Sequence, residues 1–209
     1  MARKTKAEAE ATRESILDSA EQVFMDKGVA RASLEAVARA AGVTRGAVYW
    51  HFRNKQDILD AMLARVRAPL AEMIDDASRG GPSLENLKQV CMVALKKLAE
   101  DDHYFRVHYI LFHRNESDQA LTKHRELCQE AVSHVTRIMA RPENRCRLHP
   151  DLAPEQAAYL LHTQMLGIFF DWLGAPNQWP LAATAQTLVD SAFRGLLAPE
   201  PAPDTSSAG

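Results

Sequence analysis

Cysteine is scarce in this chain: three in 209 residues, Cys91, Cys128 and Cys146, odd in number and without CxxC spacing. That argues against a disulfide scaffold and fits reduced thiols in a cytoplasmic protein. Long apolar runs are also missing. The most apolar stretch, Ala157 to Leu173, is broken by His162, Thr163, Gln164 and Asp171. It reads as a buried helix and not as a membrane span. The basic start, MARKTKAEAE, has no apolar core segment and does not read as a secretory signal. No segment alternates polar and apolar residues with β-branched enrichment, so no sheet is expected. Phosphate loops, nucleophile elbows and metal signatures are absent as well. His103, His108 and His113 recur every five residues, which spreads them around a helix. No metal or other cofactor, and no enzyme activity, is expected.

What the chain does have is helical periodicity. An apolar fraction of 46% suffices for a core. Ile16, Leu17, Ala20, Val23 and Phe24 mark an amphipathic helix over 7–27, stopped at Gly28. Ser33 caps the next helix. Asn54 caps a longer one, with Asp57 at its third position as a capping-box variant. Ile58, Leu59, Met62, Leu63 and Val66 give that helix an apolar stripe. Pro69 predicts a kink or break near Ala68, with helix resuming to Ser78. Arg79 to Ser83 reads as a linker. Further helices are predicted at 83–100, 103–114, 118–141, 154–174 and 180–197. The punctuation between them includes Asn115 to Ser117 and Pro142 to Pro154. The outline is all-α, with about nine helices. The tail from Pro199 is Pro/Ser/Ala-rich and predicted to be disordered.

The most informative segment is Leu34 to Gln56, LEAVARAAGVTRGAVYWHFRNKQ. Leu34, Val37 and Ala38 share one helical face. Gly42 can adopt the left-handed conformation that stops this helix, and Thr44 can cap the next. The second short helix then carries Arg45, Tyr49, Trp50 and His51. A helix-turn-helix that reads the DNA major groove needs this arrangement. Charge agrees: residues 1–55 carry +3 and the remainder −5. A basic head on an acidic body results.

Residues 11–59, ATRESILDSAEQVFMDKGVARASLEAVARAAGVTRGAVYWHFRNKQDIL, resemble the TetR/AcrR family of transcriptional regulators. The opening MARKTKAEAEATRESILDSAE and the run TRGAVYWHF also resemble repressors of multidrug efflux pump operons. The resemblance implies a helix-turn-helix head over 1–54, a ligand-binding and dimerisation domain over 55–198 and a tail over 199–209. Arg45, in the first turn of the recognition helix, can offer a bidentate donor pair to guanine or bind a phosphate. Thr44 caps and can also touch phosphate or a thymine methyl. Gly46 leaves room for the DNA backbone, or for close packing against the preceding helix. Tyr49 and His51 resemble phosphate donors of the family, and Trp50 a residue packing along the groove. Val48 and Phe52 are expected in the core. Lys55 resembles the family's phosphate anchor, and Ser33 can act in the same way through its hydroxyl. Arg3, Lys4 and Lys6 form either a phosphate-following arm or a solvated tail.

For the body, the resemblance implies a homodimer built from the last two long helices. Gly167 and Phe170 on one, and Ala185, Leu188, Ala192 and Leu196 on the other, are the interface candidates, unless those stripes bury within the chain. A ligand cavity is expected from the aromatic and methionine content: Met73, Met92, Phe105, His108, Tyr109, Phe112, Phe169 and Trp172. His113 and Gln164 are possible polar handles. The alternative for this stripe is ordinary core. The functional expectation is a repressor of a multidrug efflux operon and of its own gene. A small amphipathic inducer would release it from a palindromic DNA operator. Two other readings stand beside it: an enzyme with a DNA-binding appendage, and a TetR-like DNA-binding protein that controls another pathway or needs no inducer.

Overall fold

The computed structural model describes residues 5–76, 81–115, 118–176 and 178–199. Arg3 and Lys4, Ser78 to Gly80, Glu116, Ser117 and the tail from residue 200 lie outside that range. Ten helices occur among the described residues: α1 (Lys6–Lys27), α2 (Leu34–Ala40), α3 (Arg45–His51), α4 (Lys55–Asp75), α5 (Leu84–Glu100), α6 (Asp102–His113), α7 (Asp118–Met139), α8 (Pro142–Arg145), α9 (Pro154–Gly174) and α10 (Leu181–Leu196). The chain is all-α; the described residues hold one isolated bridge, Leu148 to Leu197, and no strand.

Local chemistry starts these helices. Ser33, Thr44, Asn54, Ser83 and Asp101 each sit in extended backbone, and each side chain accepts from a free backbone N–H of the first turn. Each cap of this kind contributes about 1 kcal/mol. Thr5 and Glu8 form a full capping box on α1. At α4 the box is altered. Asn54 accepts from Asp57 N at 2.9 Å, but the Asp57 carboxylate accepts from Arg53 N and Nε instead. Gly28 and Gly42 take the positive φ values of 74° and 64° that end α1 and turn the chain between α2 and α3.

The head packs Ile16, Leu17, Ala20 and Phe24 of α1 against Val37 and Ala38 of α2 and Val48 of α3, all buried. Ile58 and Met62 of α4 continue this core into the body. There α7 lies along α9, and α10 lies along α5 and α9.

Two expectations need correction. α4 runs unbroken through Pro69 and ends at Asp75. Proline removes one backbone hydrogen bond, yet Val66, Leu70 and Ile74 stay buried around it and hold the helix in place. The punctuation from Pro142 is also more ordered than expected, because it contains α8. The buried Asn144 amide donates to Ile138 O at 2.8 Å and Pro82 O at 3.4 Å. His149 N donates to Leu196 O, and Ala198 N to Arg147 O, fastening the end of α10 to this segment.

Candidate nucleic-acid interface and ligand cavity

α3 is short, and Val48 is its buried residue, with Phe52 following in the core. That anchor turns the remaining residues outward. Thr44, Arg45, Gly46, Tyr49 and Trp50 are exposed and His51 is half-buried. Trp50 is 72% exposed, a costly position for an indole without a partner. Arg45 Nη2 donates to the Tyr49 hydroxyl at 3.3 Å, and the guanidinium lies 5.2 Å from the centre of the Tyr49 ring. That hydrogen bond holds the Arg45 pKa above its ordinary value. Packing of Gly46 against α2 is not seen. A Cβ there would meet only Thr44 Oγ1, at 3.8 Å, so the space beside it opens to solvent. Ser33 is exposed at the N-terminus of α2, its hydroxyl accepting from Ala36 N at 3.1 Å.

Lys55 departs from the phosphate-anchor expectation. Its Nζ donates to Val29 O (2.6 Å), Ala30 O (3.0 Å) and Ala32 O (2.9 Å). All three ammonium protons are thus engaged by the α1–α2 connection. The same connection is also tied to the C-cap of α6, where Val29 N donates to Arg114 O at 2.9 Å. A charged cluster sits at the same junction. Glu21 of α1, 3% exposed, receives Arg106 and His103 of α6. Arg65 of α4 binds Glu14 and Asp18 at 2.8 Å each and lies 3.7 Å from Glu21. Asp18, Glu21, Arg65, His103 and Arg106 line a polar cleft of about 490 Å³.

A second, mainly apolar cavity of about 570 Å³ lies in the body, walled by α4, α5, α6, α7 and α9. Of the ligand candidates, His108, Phe112 and Phe169 line it; Met73, Met92, Phe105, Tyr109 and Trp172 do not. Phe105 stacks on Tyr109 and meets Trp172 edge-on, forming an aromatic seam between α6 and α9. Met73 and Met92 are half-buried packing against the core. Gln164 is exposed and His113 packs on Phe170, so neither is a handle in the cavity. The lining that periodicity alone did not single out comes from α4 and α7: Arg67, Leu70, Ile74, Leu127 and Val135. A usable signal existed in the stripe Leu63, Arg67, Leu70, Ile74, where an arginine interrupts an apolar face at helical spacing.

The cavity carries two perturbed walls. Burial pushes the His108 pKa down to about 4, keeping the imidazole neutral. Its Nδ1 donates to Tyr104 O at 2.8 Å, which leaves Nε2 as the acceptor. Burial also pushes the Tyr104 hydroxyl up. Outside the cavity lining, the buried Cys91 thiol is raised to about 12.

The interface candidates on the last two helices divide. Gly167 and Phe170 are exposed, Phe170 by 55%. Ala185, Ala192 and Leu196 are buried within their own chain, and Leu188 packs half-buried against the core. The stripe chosen from periodicity is therefore the one that faces inward. The outward face of α10 carries Ala183, Thr187, Ser191 and Gly195, all exposed and small.

Comparison with known proteins agrees with this architecture. The family model described as bacterial regulatory proteins, tetR family, matches residues 16–62. That of the C-terminal region of MAATS-type transcriptional repressors matches residues 82–197. The transcriptional regulator AcrR of Shigella flexneri is 32% identical over 195 residues, covering 90% of this chain and 91% of AcrR. The regulator TtgR of Pseudomonas putida is 32% identical over 201 residues, covering 91% and 94%. The crystal structure of NalD, the secondary repressor of the MexAB-OprM multidrug efflux pump in Pseudomonas aeruginosa, superposes with a TM-score of 0.79 at 38% identity, covering 92% of this chain and 98% of NalD. The SmeT–triclosan complex gives 0.79 at 31% identity, covering 93% and 100%. With an exposed α3 face, a walled cavity and family matches over both halves, the chain belongs to the TetR family of transcriptional regulators.

Proposed function

We propose that this protein is a homodimeric repressor of a multidrug efflux operon and of its own gene, released from a palindromic operator by a small amphipathic inducer. The observation that carries this reading is the double attachment of the α1–α2 connection. Lys55 on α4 holds three of its carbonyls, and Arg114 O at the end of α6 accepts from Val29 N. Both α4 and α6 wall the apolar cavity. A ligand that displaces either helix must then move the head that carries α3. Its effect is limited to its differential affinity for the two head positions.

Ser33, Thr44, Arg45, Gly46, Tyr49, Trp50 and His51 form the proposed DNA face. Lys55 contributes by fixing the head. One seven-residue helix makes too few base contacts for useful specificity. Two copies reading half-sites of a palindrome solve this. The proposed dimer face joins Leu160, Gly167 and Phe170 of α9 to the small outward face of α10. The efflux assignment is supported by the roles of NalD, the secondary repressor of the MexAB-OprM multidrug efflux pump, and of MexZ, a key repressor responsible for antibiotic resistance in Pseudomonas aeruginosa.

The test is a gel shift of the chain's own promoter and of the nearest efflux promoter, repeated with a panel of antimicrobials and dyes. A shifted band that a panel member dissolves is expected. Binding to neither promoter overturns the proposal. Binding that no panel member releases points to regulation without a small-molecule inducer.

A further inference from the structure

We propose that the apolar cavity selects an amphipathic acid, an aromatic or aliphatic body with one anionic group, and that Arg67 is the residue that reads the anion. This rests on the cavity being the inducer site. Arg67 lies on the α4 stripe Leu63, Arg67, Leu70, Ile74, so its side chain shares a face with three apolar wall residues. Its neighbour on the same helix, Arg65, is paired with Glu14, Asp18 and Glu21. Arg67 makes no hydrogen bond and no ion pair among the described residues.

The other charged groups of the lining are placed differently. Asp60 accepts from Gln56 Nε2 at 2.9 Å. Arg137 leans on His134 Nδ1 at 3.4 Å. Glu130 is exposed on α7, as Arg67 is on α4, but does not act on the deep groups of the cavity. His108 is neutral and adds no charge. Arg67 is also the charged lining residue whose field reaches deep groups on two other walls. After burial, which dominates at all three, its positive charge acts on Tyr104 and His108 of α6 and on Cys128 of α7. No acidic lining residue acts on any of them. Arg67 is therefore the lining charge that acts on these three groups, and a positive charge beside apolar walls favours an anionic group there. A guanidinium presents a planar fork that suits carboxylate and sulfonate.

The experiment is a titration calorimetry series at neutral pH on the full chain. It uses three ligands of one shape: biphenylcarboxylate, biphenylmethanol and biphenylmethylammonium. The carboxylate is expected to bind about tenfold or more tighter than the ammonium, the difference one charge-assisted contact supplies. Arg67→Gln should remove that preference, and Arg67→Glu should reverse it. Affinity for the uncharged alcohol should stay within about threefold in both variants, since Arg67 is solvent-exposed and the alcohol offers it no charge to read. Should the alcohol bind while the wild-type chain ranks carboxylate and ammonium equally, or favours the ammonium, the inference about Arg67 is overturned. An unchanged carboxylate preference in both variants overturns it too. If none of the three binds, the cavity is not the inducer site, and the underlying reading falls with it.

Discussion

Arg45 is ordered before any DNA arrives. Its contact with Tyr49 fixes a long side chain that would otherwise lose rotamer freedom on binding. Arg45→Ala should cost about 1–3 kcal/mol per half-site if the guanidinium reads a base. Tyr49→Ala removes both a donor and the ring beneath Arg45, so it should weaken binding to a similar degree. Both residues are exposed, and the melting temperature and dimer content should not move. Gel shift and thermal melting check this pair, and a full-affinity shift by both variants would remove α3 as the reading face. His108 gives a second prediction at this scale. Burial, opposed by its hydrogen bond to Tyr104 O, holds the folded pKa at about 4 against 6.5 when free. The unfolded chain therefore binds the extra proton first as pH falls. Stability from this group is fully present above 6.5 and is lost as pH drops toward 4. The loss amounts to about 3 kcal/mol. Arg67, His103 and Cys128 surround the same site and would shape the curve. Replacing His108 by leucine should flatten denaturant midpoints across that window. A wild-type curve that is already flat there would mean that His108 is not kept neutral by burial.

At the scale of elements, the α1–α2 connection is the weak point of the head. Lys55→Met keeps most of the stem and removes three hydrogen bonds to carbonyls. Charge-assisted bonds contribute about 1.5–3 kcal/mol each when buried, less here because Lys55 is half-buried. Faster amide exchange at residues 29–32 is expected, with the body unchanged. Protection equal to wild type would show that α6 alone holds the connection. This junction was not legible beforehand. Lys55 stands beside Asn54 at a helix start, where a lysine reads as a phosphate anchor, and its carbonyl partners lie more than 20 residues away in the chain. The elements themselves were legible, because caps and stop glycines act within four residues. Ser33, Thr44, Asn54 and Gly42 all behave as their neighbours dictate. The aromatics of α6 show where legibility stops. Phe105, His108, Tyr109 and Phe112 follow helical spacing, but that face is wide enough to split between the cavity and the seam with α9. Periodicity says which residues share a face. It does not say which neighbour covers it.

The same limit decides the whole molecule. On α10 the stripe Ala185, Ala192, Leu196 is covered by the chain itself, so the face left for a second copy is the opposite one, with its small residues. Gly167 and Gly195 make this testable. A Cβ at either position meets nothing within 4 Å in the single chain. Both glycines lie inside helices, where replacement by glutamine gains about 0.5–1 kcal/mol of helix propensity. A monomer should therefore tolerate Gly167→Gln and Gly195→Gln, or be slightly stabilised by them. A partner packed closely against these positions would not tolerate them, because the added side chains would fill the space its backbone needs. The double variant should sediment as a folded monomer with unaltered helical circular dichroism. Operator affinity should collapse with it, since each half-site alone is held by one short helix. A double variant that sediments as a dimer and shifts DNA normally would place the interface elsewhere on the surface. Dimer loss with full DNA affinity would mean that one head suffices.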